Sequence, residues 1–284
     1  MSASHSPTTT PTRSGLLDEL RIVPTALFGS VLTARRPQRM IERSFMVFRR
    51  GALVLVSGFF EPLFYLLSIR IGFASLIGEV TVGGRTIGYA EFVAPALMAS
   101  SAMNGAVYDS TMNVFFKLKN AKLYDAVLAT PMTAADVALG EIGWAVLRGA
   151  VYSVAFLASM AVLGMTQSPW VLLAVPVCVL IAFAFAAVGM AVTTYMRSVA
   201  DFEYVPTATL PLFLFSATFY PLASYGDWAW LVQFSPLYHG VALVRALNFG
   251  DWSWAMIGHV GVLAALTMAG LALASRRIET LLLT

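Results

Sequence analysis

Charge is scarce in this chain. Of 284 residues only 12% are Asp, Glu, Lys or Arg and 58% are hydrophobic, where a soluble domain carries about a quarter charged residues. Mean hydropathy is +0.77, so the chain reads as an integral membrane protein. There is one cysteine, Cys178; this excludes an intrachain disulfide or a cysteine-built metal cluster, and its mid-span place reads as packing. No Gly-Lys pair occurs, so the phosphate-cradling GxxxxGK[ST] loop is absent and any ATP that powers the chain must be bound by another protein. HExxH and Gly-x-Ser-x-Gly are also missing, and His259 is the only histidine within an apolar span, which leaves intramembrane proteases without support. The net charge of +3 comes from Arg and Lys beside anionic lipid, which points to orientation and not to nucleic acid.

What is present is a set of long uncharged windows. A membrane helix needs about 20 apolar residues, and six windows qualify: Gly51 to Ile69, Phe92 to Phe116, two within Gly149 to Met196, Tyr204 to about Leu222, and Trp252 to Ser275. The third and fourth form a hairpin around Gly164, Gln167, Ser168 and Pro169, and Pro206, Pro211 and Pro221 make the fifth the least regular. A further stretch, Trp228 to Val244, is broken at Ser235 and Pro236; it reads as a re-entrant external helical hairpin, tolerated where protein shields its backbone. With six spans, fifteen of the eighteen Lys and Arg residues fall on one side and only Arg70, Arg85 and Arg245 on the other, which places both termini in the cytoplasm.

The expected fold is therefore all-α and integral to the membrane, with three parts. Residues 1–15 are a Ser-, Thr- and Pro-rich disordered tail. Residues 16–50 are a cytoplasmic connecting region, either amphipathic helix at the headgroups or a basic flank that sets topology. Residues 51–284 hold the six spans. The Gly-rich stretch from Arg70 to Glu91, with the alternating Glu79, Val80, Thr81 and Val82, suggests a small external hairpin.

Two acids, Glu61 and Asp109, lie inside predicted spans, where a charge costs a few kcal/mol or more. Each either faces a substrate or proton route, or sits near a helix end and bonds a neighbour in the bundle. Small residues recur four apart, as Ser101 and Gly105, as Ala102, Ala106 and Ser110, as Ala182 and Ala186, and as Gly189 and Thr193; such faces allow close helix approach within one bundle or between subunits. The loop from Phe116 to Ile142 carries more information. Lys117, Lys119 and Lys122 anchor it at the inner surface, a short helix fits Ala121 to Ala129, Thr130 and Pro131 break it, and Thr133 with Asp136 makes a capping box for the next helix. A short helix held along the membrane between two spans suits the transmission of a partner's motion, with Tyr124 as an apolar anchor and Asp125 as a charged contact; the alternative is a plain connector.

The run SAMNGAVYDSTMNVFFKLKNAKLYDAVLATPMTAADVALGEIGWAVLRG, followed by FAFAAVGMAVTTYMRSVADFEYV, LPLFLFSATFYPL and SPLYHGVALVRAL, resembles the membrane permeases of type 2 ABC exporters. It is most similar to the nodulation-type lipo-oligosaccharide and antibiotic-resistance group, over roughly residues 40 to 280. The resemblance implies a bacterial cytoplasmic-membrane half-transporter that pairs with a second permease copy or paralogue and binds two ABC ATPase subunits. ATP and Mg would reside on those subunits and no cofactor on this chain. It further implies an ATPase-coupling region at Lys117, Lys119, Lys122, Tyr124, Asp125, Ala126, Thr130, Pro131 and Asp136, and a substrate route past Asn104, Tyr108, Phe213, Phe215, Phe219 and Tyr220. None of these residues is catalytic. The implied cargo is amphipathic or lipid-linked: a lipo-oligosaccharide, a glycolipid or a hydrophobic drug. The competing reading from the residues is a proton-coupled secondary transporter using Glu61 and Asp109, although the inverted repeat that would favour it is not visible.

Overall fold

The computed structural model of the chain describes residues 36–49, 63–120 and 123–283. The expected tail, most of the connecting region, most of the first window with Glu61, and Lys122 lie outside the described residues.

The described chain is predominantly helical. Helix α1, Pro37–Arg49, starts with proline, whose missing N–H is no loss at the first helical position. Helix α2, Leu63–Ile77, contains a π-helical turn at Ile69–Phe73 and ends at Gly78, where φ is 72°. Strands β1, Glu79–Val82, and β2, Arg85–Gly88, pair antiparallel with Val82 opposite Arg85. Gly83 and Gly84, at φ 58° and 80°, supply the two positive-φ positions that a tight hairpin turn needs.

Helix α3, Tyr89–Tyr108, continues through π-helical turns at Asp109–Asn113 and Phe116–Asn120. The short α4, Leu123–Leu128, is followed by a turn and by α5, Ala134–Val162. A 3-10 turn at Pro169–Leu173 leads into α6, Ala174–Thr193. After the 3-10 turn Val199–Glu203 come α7, Tyr204–Leu214, then the 3-10 segment Leu222–Trp228, α8, Ala229–Gln233, α9, Pro236–Phe249, and α10, Ala255–Leu283. Among the described residues, three helical stretches are long and apolar enough to cross a membrane: Ala135–Val162, Pro169–Thr193 and Ala255–Arg277.

Helix α6 is the hub, packed on α3, α5, α9 and α10. Its neighbours come close because small residues stand at the crossings. A Cβ added at Gly270 of α10 would lie 2.8 Å from the α6 backbone at Ala187 and Val188; one at Gly240 of α9 would lie 2.6 Å from Ile181; and one at Gly189 of α6 would strike Ser110 of α3. Thr193 Oγ1 seals the last crossing by donating to the Ser110 carbonyl at 2.9 Å. Ala102, Ala106, Ala182 and Ala186 are buried within the same bundle, so their faces are spent on intrachain packing, whereas Ser101 and Gly105 are only half-buried and a Cβ added at Gly105 would meet nothing within 4 Å. Cys178 is buried there as a free thiol.

The structure departs from the sequence windows at two places. Helix α5 begins fifteen residues before Gly149, at the Thr133–Asp136 cap, and takes Arg148, which bounds the window in the sequence, and Glu141 into the bundle as ion pairs. The fifth window does not form one helix: α7 ends at Leu214 with Phe215 at φ −102°, ψ 38°. Pro211 has no N–H to offer the preceding turn, and Ala217 at φ 56° turns the chain away. The loosened backbone is held locally, Ser216 Oγ donating to the Phe213 carbonyl at 2.9 Å and meeting Thr218 Oγ1 at 2.7 Å. The chain then breaks at Ser235 and Pro236 as its sequence suggests, but α9 does more than cap the bundle, since Leu237, Val241, Val244 and Leu247 are buried against α3, α6 and α10.

Overpacking a tight crossing costs about 1–3 kcal/mol, so Gly270→Val is expected to lower the thermal unfolding midpoint of the purified chain. Gly261→Ala on the same helix, where an added Cβ meets nothing within 4 Å, is expected to leave it unchanged or slightly raised. Equal midpoints for the two variants would show that the α6–α10 crossing is not tightly packed.

Candidate functional site

The turn between α4 and α5 is organised by one carboxylate. Thr133 Oγ1 accepts from the Asp136 N–H at 3.1 Å, and Asp136 Oδ2 accepts from the Thr133 N–H at 2.9 Å; this is the capping box that the sequence predicts. The other oxygen, Oδ1, accepts from the Arg36 N–H at 2.7 Å. Asp136 is 1% exposed, and it caps its own helix while tying down the residue that leads into α1. Close packing completes the junction: a Cβ added at Gly143 of α5 would sit 2.8 Å from Ile41 Cδ1, and one at Gly140 would strike Met40. Helix α1 therefore lies on the first turns of α5 as a fixed strut.

Helix α4 is fastened from the other side. Lys117 Nζ, in the second π-helical turn, donates to Glu141 Oε2 of α5 at 2.6 Å. The Tyr124 hydroxyl is within hydrogen-bonding reach of the same carboxylate without being aligned on it. Tyr124 is 2% exposed and Glu141 4%, so the tyrosine anchors α4 to the bundle from inside. Its burial, together with the Glu141 carboxylate, holds the Tyr124 hydroxyl well above the ordinary value, with Arg43 opposing. Ala126, Thr130 and Pro131 are exposed, as is Lys119; the side chain of Asp125 lies outside the described set. A cleft of about 510 Å³, lined by Arg36, Gln38, Arg39, Thr130, Pro131 and Met132, opens between α1 and the turn.

Deeper in, Asp109 Oδ2 lies 2.7 Å from Arg148 Nε of α5, while Oδ1 accepts from Asn113 Nδ2 at 2.6 Å. The guanidinium also stands 5.6 Å from the Tyr152 ring centroid. Both Asp109 and Asn113 belong to the first π-helical turn, a local widening of the helix that recurs at functional sites. Asp109 thus bonds its neighbours in the bundle instead of facing an open route. Glu141 and Arg148 stand among the loop residues in the sequence with nothing to single them out; the clue would have been that an acid inside a span needs a base, and Arg148 is the arginine nearest to it in the apolar region.

Asn104 and Tyr108 are exposed on α3, Tyr108 at 54%. They line a groove of about 360 Å³ with Phe202 of the 3-10 turn before α7 and with Pro206 and Thr209 of α7. Phe213 and Phe219 lie apart from that groove and stack edge to face with centroids 5.2 Å apart, while Phe215 and Tyr220 are exposed. Helix α7 contains no buried residue although it is almost wholly apolar. Among the described residues no cluster of His, Cys, Asp and Glu is placed to hold a metal ion.

The family model of the ABC-2 type transporter matches residues 38–249, from α1 to the end of α9. Nodulation protein J of Rhizobium leguminosarum bv. trifolii is 30% identical over 225 residues, covering 78% of this chain and 84% of that protein. Nodulation protein J of Rhizobium meliloti is 26% identical over 224 residues, covering 78% and 82%. That of Bradyrhizobium diazoefficiens is 25% identical over 244 residues, covering 84% and 92%.

Removing one partner of a buried ion pair costs about 3–5 kcal/mol, whereas replacing both with apolar residues costs far less. Asp109→Leu and Arg148→Met are each expected to lower the unfolding midpoint sharply, and the double variant to recover much of the loss; additive losses would mean that the two groups do not act as a pair. A second expectation concerns Tyr124. Above pH ~10 an unfolded tyrosine loses its proton while the buried one keeps it, so the folded state binds more protons and stability falls as pH rises. The contribution is complete below that pH and is lost above it. Tyr124→Phe is expected to show a smaller alkaline loss of midpoint than the parent chain, and an identical alkaline limb in both would remove the claim.

Proposed function

Because this chain belongs to the ABC-2 type transporter family, we propose that it is the permease subunit of an exporter driven by a separate ABC ATPase, moving an amphipathic or lipid-linked molecule. The observation that carries the reading is the construction of the α4 turn: a short helix fastened inward by Tyr124 and Lys117, braced by α1 through Asp136, and presenting Ala126, Thr130 and Pro131 outward. A loop that had only to connect two spans would not need the buried carboxylates Glu141 and Asp136 tied to Lys117 and to the Arg36 N–H, since each buried polar group costs free energy unless it is paired. The basic cleft at Arg36 and Arg39 lies beside the exposed turn and suits an acidic edge of the ATPase.

In this reading both termini lie in the cytoplasm of a bacterium, the chain crosses the membrane six times, and ATP and Mg²⁺ are held by the partner. Closure of the paired ATPase subunits pushes on α4, and the Tyr124, Glu141 and Lys117 contacts pass the displacement to α5 and to the π-helical end of α3. Helix α7, apolar and without buried residues, is suited to face a second permease copy or paralogue, with Asn104, Tyr108, Phe213, Phe215, Phe219 and Tyr220 along the route between them. A largely apolar and aromatic route, with Glu203 the one charged residue lining the Asn104–Tyr108 groove, favours a lipid-linked oligosaccharide or a hydrophobic drug over an inorganic ion. The proton-coupled alternative is weakened because Asp109 is already paired with Arg148.

Ala126→Glu and Thr130→Arg change only exposed positions and are expected to leave the unfolding midpoint intact. Co-purification of the ATPase should fall, and stimulation of its ATP hydrolysis by the permease should drop about tenfold, the effect of losing roughly 1.4 kcal/mol of interface energy. Unchanged stimulation would make α4 a mere connector. Export that persisted on a proton gradient without the ATPase would sink the whole reading.

A further inference from the structure

At the end of the bundle that carries the β-hairpin, a pocket of about 310 Å³ opens among α9, α10 and the chain that follows the broken α7. Its chemistry is set by Arg245 on α9. Nε donates to the Phe92 carbonyl at 3.3 Å, Nη2 donates to the Ala217 carbonyl at 2.9 Å, and the guanidinium lies 3.9 Å from the Phe92 ring centroid. These contacts hold the fork in place but bring no negative charge. Among the described residues Nη1 has no hydrogen-bond partner and no carboxylate is paired with Arg245. The one acid lining the pocket, Asp251, is engaged at 2.8 Å by Arg85 of β2.

Other polar groups converge there. The phenols of Tyr238 and Tyr225 lie close enough to interact electrostatically with the guanidinium. His259 also lines the pocket, and its tautomer follows from its partner. His239 Nε2 lies 3.0 Å from the Gln233 carbonyl and must donate to it; His239 Nδ1, 2.7 Å from His259 Nδ1, then accepts, and His259 donates. This leaves His259 Nε2 without a partner among the described residues. Around these groups the walls are apolar, with Met256, Leu222 and Phe249.

We infer that this pocket binds the phosphate-type oxyanion of an amphiphile, with Nη1 of Arg245 as its principal donor and the apolar walls receiving the adjoining aliphatic part. A guanidinium in an apolar-walled pocket with no carboxylate paired to it among the described residues is costly, and an oxyanion on Nη1 supplies the missing charge-assisted contact. The backbone is arranged for it: Ala217 is held at φ 56°, a conformation uncommon outside glycine, with its carbonyl on Nη2. The site is remote from the α4 turn, and it stands whether or not the chain works as an exporter. Two sources share this chemistry, a phospholipid of the surrounding membrane and a soluble phosphate compound.

The test uses the full chain in nanodiscs of phosphatidylcholine containing a minor fraction of phosphatidylglycerol, with lipids retained after release counted by native mass spectrometry. The parent chain is expected to retain phosphatidylglycerol over phosphatidylcholine about tenfold or more beyond their ratio in the disc, as a charge-assisted contact implies. Arg245→Gln should abolish the preference, and Arg245→Lys, which keeps the charge but not the fork, should retain part of it. Because Arg245 also ties Phe92 to Ala217, Ala242→Leu serves as the second variant: it fills the pocket, leaves the arginine in place, and should abolish the preference at an unchanged unfolding midpoint. Adding inorganic phosphate separates the sources, since displacement of the retained lipid points to a soluble phosphate and persistence points to a lipid headgroup. Retention without preference in the parent chain, or a preference that survives Ala242→Leu, would overturn the inference.

Discussion

The pairing of Asp109 with Arg148, 2.7 Å apart between α3 and α5, constrains everything at the α4 end of the bundle. Neither charge is tolerable alone at that depth, so each helix must present its group to the other within hydrogen-bond distance. This sets the rotation of α3 against α5. The π-helical turn at Asp109–Asn113 lets Asn113 share the carboxylate, and the next π-helical turn carries Lys117 to Glu141. Once those ties exist, α4 has a fixed place and Tyr124 a pocket. The path from the exposed turn to the interior consequently runs through polar contacts with definite geometry.

Helix α6 supplies the opposite kind of constraint. It holds no charged residue, and its position follows from where its own and its neighbours' small side chains permit approach. The glycine contacts bring α10 backbone to backbone with it at Gly270, set α9 against Ile181 at Gly240, and set Ser110 of α3 against Gly189. Packing of this kind gains dispersion energy over many atoms and stays rigid. The result is a stiff centre, with the apolar but unburied α7 at its margin; an element with so little holding it in the single chain is suited to move or to meet another subunit.

Composition and charge placement were sufficient for the membrane class, for the Gly83–Gly84 hairpin and for the Thr133–Asp136 capping box, because each is written in residues close together in the chain. The break at Ser235 and Pro236 was equally legible, since proline acts on its own backbone. The charge-free window from Gly149 marked only the apolar part of α5, whose start the cap had already fixed, because Glu141 and Arg148 are charges that the fold buries. The termination of α7 at Leu214 also escaped the hydropathy pattern, which reports apolarity and says nothing of where a proline-loosened backbone finds its hydrogen bonds.

By itself, then, the sequence determined that the chain is a membrane protein, that it lacks the GxxxxGK[ST] motif, and that one short loop is shaped by local caps. Tertiary structure alone decided that Tyr124 faces inward, that Asp136 also holds the start of α1, that Asp109 meets Arg148, and that Arg245 closes on Phe92 and Ala217. The physical reason is range. Caps, turns and apolar runs depend on neighbours a few residues away, whereas an ion pair between residues 109 and 148, or a guanidinium reaching from residue 245 to the carbonyl of residue 92, exists only when the packing of several helices has brought distant segments together.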